Sequence, residues 1–435
     1  MKQGKLFILA TILLSLSCCQ FRSDEYVDFA DKEAAKGLSF QVLGQQVTDL
    51  SNGLPENCYL PDGMPVNNSH ESNQRRTNST SGANILQQLL KYANQNEVIE
   101  IVGTYPTITV EGDDIRLSGK VMLPKGRKAK RMILVSHYTI CSNAEAPSNC
   151  FSLEGVLVSM GYGLIIPDYM GYGVTADKVH PYLLMDITAR NVLDMYWAVR
   201  EWLEAIDLLP EQSEIDIMGY SQGGANTMAV EYMIESEYSN LMAQRYVKIH
   251  RVFAGGGPYD IKATYENYVT TDTASYPVAV PLVLQGMING NNLSIKLNEM
   301  MQQRLCDSLD TWINSKRYSS SVVNELIGTH VTHELLTEEA MQQTSTKVAE
   351  LYKAMTMNSI TSYNWTPEAS VYIMHSMDDE TVPFINASNA KAKWQDANIM
   401  YNFGHYGPHT MCCLRFIYSV MSLLEQEEKE MKKYE

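Results

Sequence analysis

The chain has 435 residues, 45% of them apolar and 19% charged, with a formal net charge of −16. This composition marks a globular protein long enough to bury a large core, either as one big domain or as one domain with an insertion. The acidic balance argues against a nucleic-acid partner, which requires a basic face.

The first residues read as a targeting segment. Lys2 and Lys5 precede the apolar run from Leu6 to Leu16, which is too short for a bilayer span of about 20 residues. The run closes in Leu16-Ser17-Cys18-Cys19, which resembles a bacterial lipobox. Cys19, with leucine three positions before it, suits the lipidated position better than Cys18. Residues 1–19 are therefore expected to be a lipoprotein-type signal peptide. Residues 20–97 are expected to be an N-terminal tether and extension that opens on the polar stretch Gln20 to Glu25. The expected location is outside the cytoplasm, on a bacterial outer membrane or cell surface, with contact to the membrane through an N-terminal lipid anchor. Ordinary secretion is the alternative. Of the six remaining cysteines, Cys141 and Cys150 flank one loop and are the expected disulfide pair. No cysteine spacing resembles a zinc site, so no metal is expected.

Asn67 to Ala83 is rich in Asn, Ser and Thr and reads as an exposed loop. Tyr105 to Pro124 reads as two strands joined at Gly112-Asp113-Asp114. Short apolar strands are expected at Arg131 to Ser136, Gly163 to Asp168, Ile215 to Met218, Val247 to Ala254, Ser370 to Met374 and Asn398 to Phe403. Helices are expected at Leu153 to Met160, Met185 to Leu203, Ala225 to Ile234 and Arg415 to Glu428. Strands alternating with helices at this spacing imply an α/β fold with a doubly wound, mostly parallel sheet. The interval 262–365 breaks the rhythm. It offers helical segments at Asn298 to Trp312, Ser320 to Ile327 and Glu338 to Met357 but no clear strand. It reads as a helical cap or lid inserted at the carboxyl edge of the sheet, where such folds carry their sites. Residues 98–261 and 366–435 are then the two parts of the core. Met287, Leu293, Met300, Met301, Tyr318, Leu335, Leu336 and Met341 of the insertion suit an apolar substrate, although most of them must serve the insertion's own small core.

The chemistry centres on Gly219-Tyr220-Ser221-Gln222-Gly223. A strand, G-x-S-x-G, then a helix is the setting of a nucleophile elbow. Ser221 would stand on a sharp strained turn, where side chains two positions either way would collide. A serine nucleophile needs a base and an orienting carboxylate, in the chain order serine, acid, histidine. The loop His375-Ser376-Met377-Asp378-Asp379-Glu380-Thr381-Val382-Pro383 follows a strand. Asp-x-x-Val-Pro selects Asp379, with Asp378 and Glu380 as alternatives, while His375 is expected to pack. Gly404-His405-Tyr406-Gly407-Pro408-His409 supplies the base. His409, directly before the closing helix, is preferred, and His405 stays open. The oxyanion hole needs the backbone N–H of Gln222 and a second amide from the loop that opens His137-Tyr138-Thr139. Thr139 is chosen over Tyr138.

The blocks His137-Tyr138-Thr139, Ala146-Pro147-Ser148, Pro167-Asp168-Tyr169-Met170-Gly171-Tyr172-Gly173 and His180-Pro181-Tyr182, followed by the elbow, resemble the secretory lipase family. These are the lipase-A-like α/β-hydrolases and their bacterial esterase relatives. The resemblance spans roughly residues 98–425. It implies the α/β-hydrolase fold, hydrolysis of a small-molecule or lipid carboxylic ester, a helical cap and no cofactor. It carries over to Ser221, Asp379 and a histidine at His405 or His409, and it supports Thr139. A prolyl-oligopeptidase-type peptidase would use the same residues but usually carries a propeller, and no repeat at blade period appears here. A polysaccharide acyl esterase would suit a surface lipoprotein. A non-catalytic binding protein on this scaffold has no need of all three residues.

Overall fold

The computed structural model describes residues 38–66, 97–236 and 248–433, apart from 52, 211 and 397, together with 85, 88, 89 and 91. The expected signal peptide with Cys18 and Cys19, the tether and the Asn67 to Ala83 loop lie outside the described residues.

Among the described residues nine strands form one sheet, in the order β1 (Gln41–Asp49), β2 (Glu97–Ile108), β3 (Asp114–Pro124), β5 (Gly163–Pro167), β4 (Met132–Ser136), β6 (Ile215–Tyr220), β7 (Ile249–Gly255), β8 (Ser370–Ser376) and β9 (Ile399–Gly404). The expected hairpin is β2 (Glu97–Ile108) paired antiparallel with β3 (Asp114–Pro124). Its turn is closed by Gly112 at φ +87° and by the bond from Thr109 N–H to the Asp113 carbonyl at 2.8 Å. β3 runs antiparallel to β5 (Gly163–Pro167). From β5 through β4 (Met132–Ser136), β6 (Ile215–Tyr220), β7 (Ile249–Gly255) and β8 (Ser370–Ser376) to β9 (Ile399–Gly404) every pairing is parallel. The three central strands β4, β5 and β6 are buried along their whole length, which is why they read as unbroken apolar runs.

Their side chains alternate between two layers. Leu134, Ile165 and Ile217 pack with Val192 and Val199 of the helix Met185–Ala205 and Met228 of the helix Gln222–Ser236. Ile133, Val135, Leu164 and Met218 pack instead with Val156 of the 3₁₀ turn Leu153–Met160 and Phe416 and Val420 of the closing helix His409–Met431. The segment at Leu153 was expected to be helical and is so, in the tighter 3₁₀ form.

Residues 41–49 correct the expectation that 20–97 lies outside the core. β1 (Gln41–Asp49) adds to the sheet antiparallel to β2, with a register irregularity between Val42 and Gly44. Its polar residues are structural. Gln46 (2.9 Å) and Thr48 donate to Glu100, which is buried together with its ion-pair partner Lys120. A buried carboxylate needs such donors, and donors make a strand look like a loop in sequence. The expected Cys141–Cys150 bridge is not formed. Both are buried thiols, and the Cys150 thiol donates to the Glu145 carbonyl at 3.2 Å.

Between β7 and β8 the chain is helical, including Ile261–Thr271, Ala279–Gly290, Ser320–Ile327 and Thr346–Met357. Met287, Met300, Met301, Leu335 and Leu336 are fully buried within the core cluster. They serve packing, as was expected of most of the insertion's Met and Leu residues. The helical region rests on three loops of the core. Tyr268 donates to the Thr381 carbonyl at 2.8 Å, Asn143 N–H donates to the Lys316 carbonyl at 2.8 Å, and Gly286 lies against the Tyr182 carbonyl. Among the described residues no helix is long and apolar enough to cross a membrane.

Glu154 is buried in the 3₁₀ turn, and burial pushes its carboxyl up from 4.5 to about 7. The folded state therefore keeps this proton over a range where the unfolded chain has lost it. That makes stability fall as pH rises from about 4.5 to about 7, with no further loss above. Glu154→Gln removes this term. Denaturant titrations of both proteins across that range are expected to show the variant gaining on wild type by up to about 3 kcal/mol as pH rises. Parallel curves would rule out a buried, protonated Glu154.

Candidate active site

The chain builds β4 first, then β5 on one side of it and β6 on the other. The loops leaving β4 and β6 diverge, which opens the crevice in which α/β sheets place their sites. Ser136 at the end of β4 pairs with Gly219 in β6, so the loop from His137 begins beside the Ser221 turn.

Ser221 adopts φ +59°, a left-handed conformation that a residue with a side chain enters at a cost. Its N–H donates to the Gly255 carbonyl at 2.9 Å, and its carbonyl accepts from Gly224 N–H at 2.8 Å. The flanking glycines are required by contact. A Cβ at Gly219 would lie 2.2 Å from the Gly223 carbonyl oxygen, and one at Gly223 only 1.9 Å from that of Ser136. Gln222 opens the next helix, so its N–H has no partner within that helix.

The structure separates the acid and base candidates into two histidine–aspartate pairs. His409 Nδ1 lies 2.6 Å from Asp379 Oδ2 and both side chains are buried. The other oxygen, Oδ1, accepts from the N–H groups of Thr381 at 3.0 Å and Val382 at 2.9 Å. Burial alone would raise the Asp379 carboxyl, but His409, His375 and the Val382 N–H outweigh it and hold the carboxyl below its usual range. His409 Nε2 is buried and has no hydrogen-bond partner. The second pair, His405 Nδ1 to Asp378 Oδ1 at 2.7 Å, stands in solvent, with the His405 side chain 75% exposed. Glu380 is exposed.

His375 is fully buried and its Nε2–H donates to the Val382 carbonyl at 2.8 Å, which holds the acid loop. Burial pushes its pKa down, against the opposing pull of the Asp379 carboxylate. Tyr220, next to Ser221, donates to the His409 carbonyl at 2.7 Å, and the two rings lie 4.9 Å apart. The elbow and the histidine loop are thus tied directly to each other.

Tyr138 and Thr139 turn different ways. Tyr138 donates to the Tyr59 carbonyl at 2.6 Å, whereas Thr139 Oγ1 lies 2.8 Å from Tyr182 Oη. Sequence reasoning missed a cluster beneath this loop. His137 stacks on Tyr169 at 3.8 Å, and His180 Nε2 lies 2.9 Å from Gln222 Nε2. Its members were visible in the sequence only as parts of the blocks His137-Tyr138-Thr139, Pro167 to Gly173 and His180-Pro181-Tyr182. Among the described residues no group of His, Cys, Asp and Glu converges on a metal position.

The sequence profile of the secretory lipase family matches residues 148–406, more than half of the chain. This span holds Ser221, Gln222 and Asp379 and stops short of His409. No curated protein sequence matches the chain. Among solved structures, the rice cell wall degrading esterase LipA from Xanthomonas oryzae superposes with a TM-score of 0.62 at 21% identity, covering 74% of this chain and 88% of that one. Candida antarctica lipase A in its closed state superposes with a TM-score of 0.51 at 16% identity, covering 73% and 74%. At these identities the likeness establishes the fold, which is that of the α/β-hydrolases.

The two histidine–aspartate pairs differ in burial and therefore in energetic weight. Asp379→Ala strips a buried pair of one partner and is expected to lower the unfolding free energy by about 3 kcal/mol. Asp378→Ala acts on a solvated pair and is expected to leave the unfolding free energy close to that of wild type. Urea unfolding of both variants measures the difference, and equal losses would contradict the burial described above.

Proposed function

Because the chain belongs to the secretory lipase family and is a carboxylic ester hydrolase, we propose that it works through Ser221, His409 and Asp379 and an acyl-enzyme intermediate. One observation carries this reading: the buried His409–Asp379 hydrogen bond leaves Nε2 of the same ring without a partner. Asp379 accepts the Nδ1–H, which sets the tautomer and leaves the Nε2 lone pair as the base. In the reaction Nε2 takes the Ser221 proton while Oγ attacks the ester carbonyl. The developing oxyanion is met by the N–H groups of Gln222 and Thr139. Asp379, held below its usual range, stays ionised and stabilises the imidazolium. The imidazolium gives its proton to the departing alcohol, and water, activated by the same nitrogen, releases the acid.

The exposed His405–Asp378 pair has no part in this scheme. The family supports export, and the lipobox-like Cys19 supports a lipid-anchored surface enzyme. The cap helices rest on the loops at Asn143, Tyr182 and Thr381, which supports a role for the insertion in acyl and alcohol specificity. The substrate is a small-molecule or lipid ester. The likeness to an esterase that degrades rice cell walls keeps acyl groups on polysaccharides within that class.

The test is hydrolysis of p-nitrophenyl esters from acetyl to palmitoyl. Ser221→Ala and His409→Ala are each expected to lower kcat by about 10⁴-fold or more, and His405→Ala to leave it within about threefold. Activity that survives Ser221→Ala would overturn the mechanism, and activity lost in His405→Ala would reassign the base. The chain-length profile reads the depth of the acyl pocket.

A further inference from the structure

The oxyanion hole of the proposed mechanism takes its two donors from different strands. Gln222 follows β6 and Thr139 follows β4, and each side chain is bound by the same tripeptide. Thr139 Oγ1 meets Tyr182 Oη at 2.8 Å, and Gln222 Nε2 meets His180 Nε2 at 2.9 Å. We propose that His180-Pro181-Tyr182 is a clamp that sets the positions of both oxyanion donors, so that its two side chains are positioning residues for catalysis. The inference rests on the oxyanion assignment made above.

The chemistry of His180 fits the role. Its Nδ1 lies 2.8 Å from the Met170 carbonyl. A carbonyl only accepts, so Nδ1 carries the hydrogen and Nε2 presents a lone pair. Gln222 Nε2–H donates to that lone pair. The ring is buried and parallel to Tyr169 at 5.8 Å, with Tyr172 at 5.2 Å and Tyr182 at 5.8 Å on its other sides. Burial and the nearby Lys316 push its pKa down to about 3, so it remains an acceptor throughout the working range of a neutral histidine base. Gly171, at φ +95°, lies against the His180 backbone, where a Cβ would come within 2.8 Å.

The rest of the clamp is equally constrained. Tyr182 N–H donates to the His180 carbonyl at 2.9 Å, and Leu184 N–H to the Pro181 carbonyl at 3.1 Å. Leu183 is forced to φ +60°. The spacing between the two gripped side chains is therefore fixed by a short, tightly turned segment rather than by two independent loops. Oxyanion donors act only within about 2.7–3.1 Å of the developing charge, and a displacement of about 1 Å can cost about 100-fold in rate. Neither His180 nor Tyr182 has to touch substrate for the clamp to matter.

Double-mutant cycles on the best p-nitrophenyl ester test this directly. One cycle uses Tyr182→Phe, Thr139→Val and their combination; the other uses His180→Leu, Gln222→Met and theirs. Each single variant is expected to lower kcat about 10- to 100-fold with KM within about twofold. Each double variant is expected to be no worse than its weaker single. Thr139→Ser, which keeps the hydroxyl, is expected to recover most of the loss seen in Thr139→Val. The clamp is overturned if the singles stay within about twofold of wild type, if losses multiply in the doubles, or if the loss appears in KM. Should His180→Leu fail to fold, the Tyr182–Thr139 cycle and Gln222→Met decide alone. Wild type that turns over in a Ser221-dependent way with unaffected variants removes the clamp and leaves the mechanism. Wild type without Ser221-dependent turnover removes both.

Discussion

The contact between the elbow and the end of β4 is the constraint on which the rest of the site depends. Gly223 approaches the Ser136 carbonyl so closely that even a methyl group has no room. That approach holds the start of the elbow helix against the loop that carries Thr139. It also fixes Ser221 in a left-handed turn, with its N–H bonded across to β7. A strained residue persists only when its surroundings over-determine it. Here the parallel register of β4, β6 and β7 supplies that determination for Ser221.

Buried polar groups lie at both ends of the sheet. At the amino end, Arg131 meets Asp216 Oδ2 at 2.7 Å and Gln212 at 2.8 Å, while Asp216 Oδ1 is buried without a hydrogen-bond partner. At the carboxyl edge the hydrogen bonding is left open at particular atoms. His409 Nε2 and His137 Nε2 are buried and unbonded. Low dielectric makes an unsatisfied polar atom costly, and at His409 the proposed mechanism supplies the reacting partner. The Ser376 side chain beneath the pair is bonded on both sides. Ser376 Oγ donates to the Gly407 carbonyl at 2.7 Å and accepts from Tyr406 N–H at 3.2 Å. Acid and histidine loops are thereby joined below the pair they carry.

Much of this was legible because the physical signals are local. The central strands are buried on both faces, and so their apolar runs are unbroken. The elbow shows itself through glycines that sterics require. The helical insertion appears as a gap in an otherwise regular alternation. What escaped was non-local. β1 hides behind Gln46 and Thr48, whose polarity serves a carboxylate more than 50 positions away. The choice between His405 and His409 stayed open because each has its own aspartate, Asp378 or Asp379, and neighbouring letters do not show which pair is buried. The Met and Leu content of the insertion suggested a lining, yet composition cannot separate a small core from a channel. The bonds from His180 and Tyr182 join residues about 40 positions apart, and no periodicity encodes them.

Every residue assigned a chemical role lies outside the inserted helices, and this has an evolutionary consequence. A change within the insertion therefore reaches the reacting groups through the loops on which the helices rest. Of the contacts between the inserted helices and the core loops, one reaches the segment from His180 to Tyr182. The helix Ala279–Gly290 meets the Tyr182 carbonyl through Gly286, where a Cβ would lie only 2.3 Å from the oxygen. A side chain acquired at that position would press on the segment that spans both oxyanion donors. Gly286 is therefore a position at which a change in the inserted helices is felt directly by the segment from His180 to Tyr182.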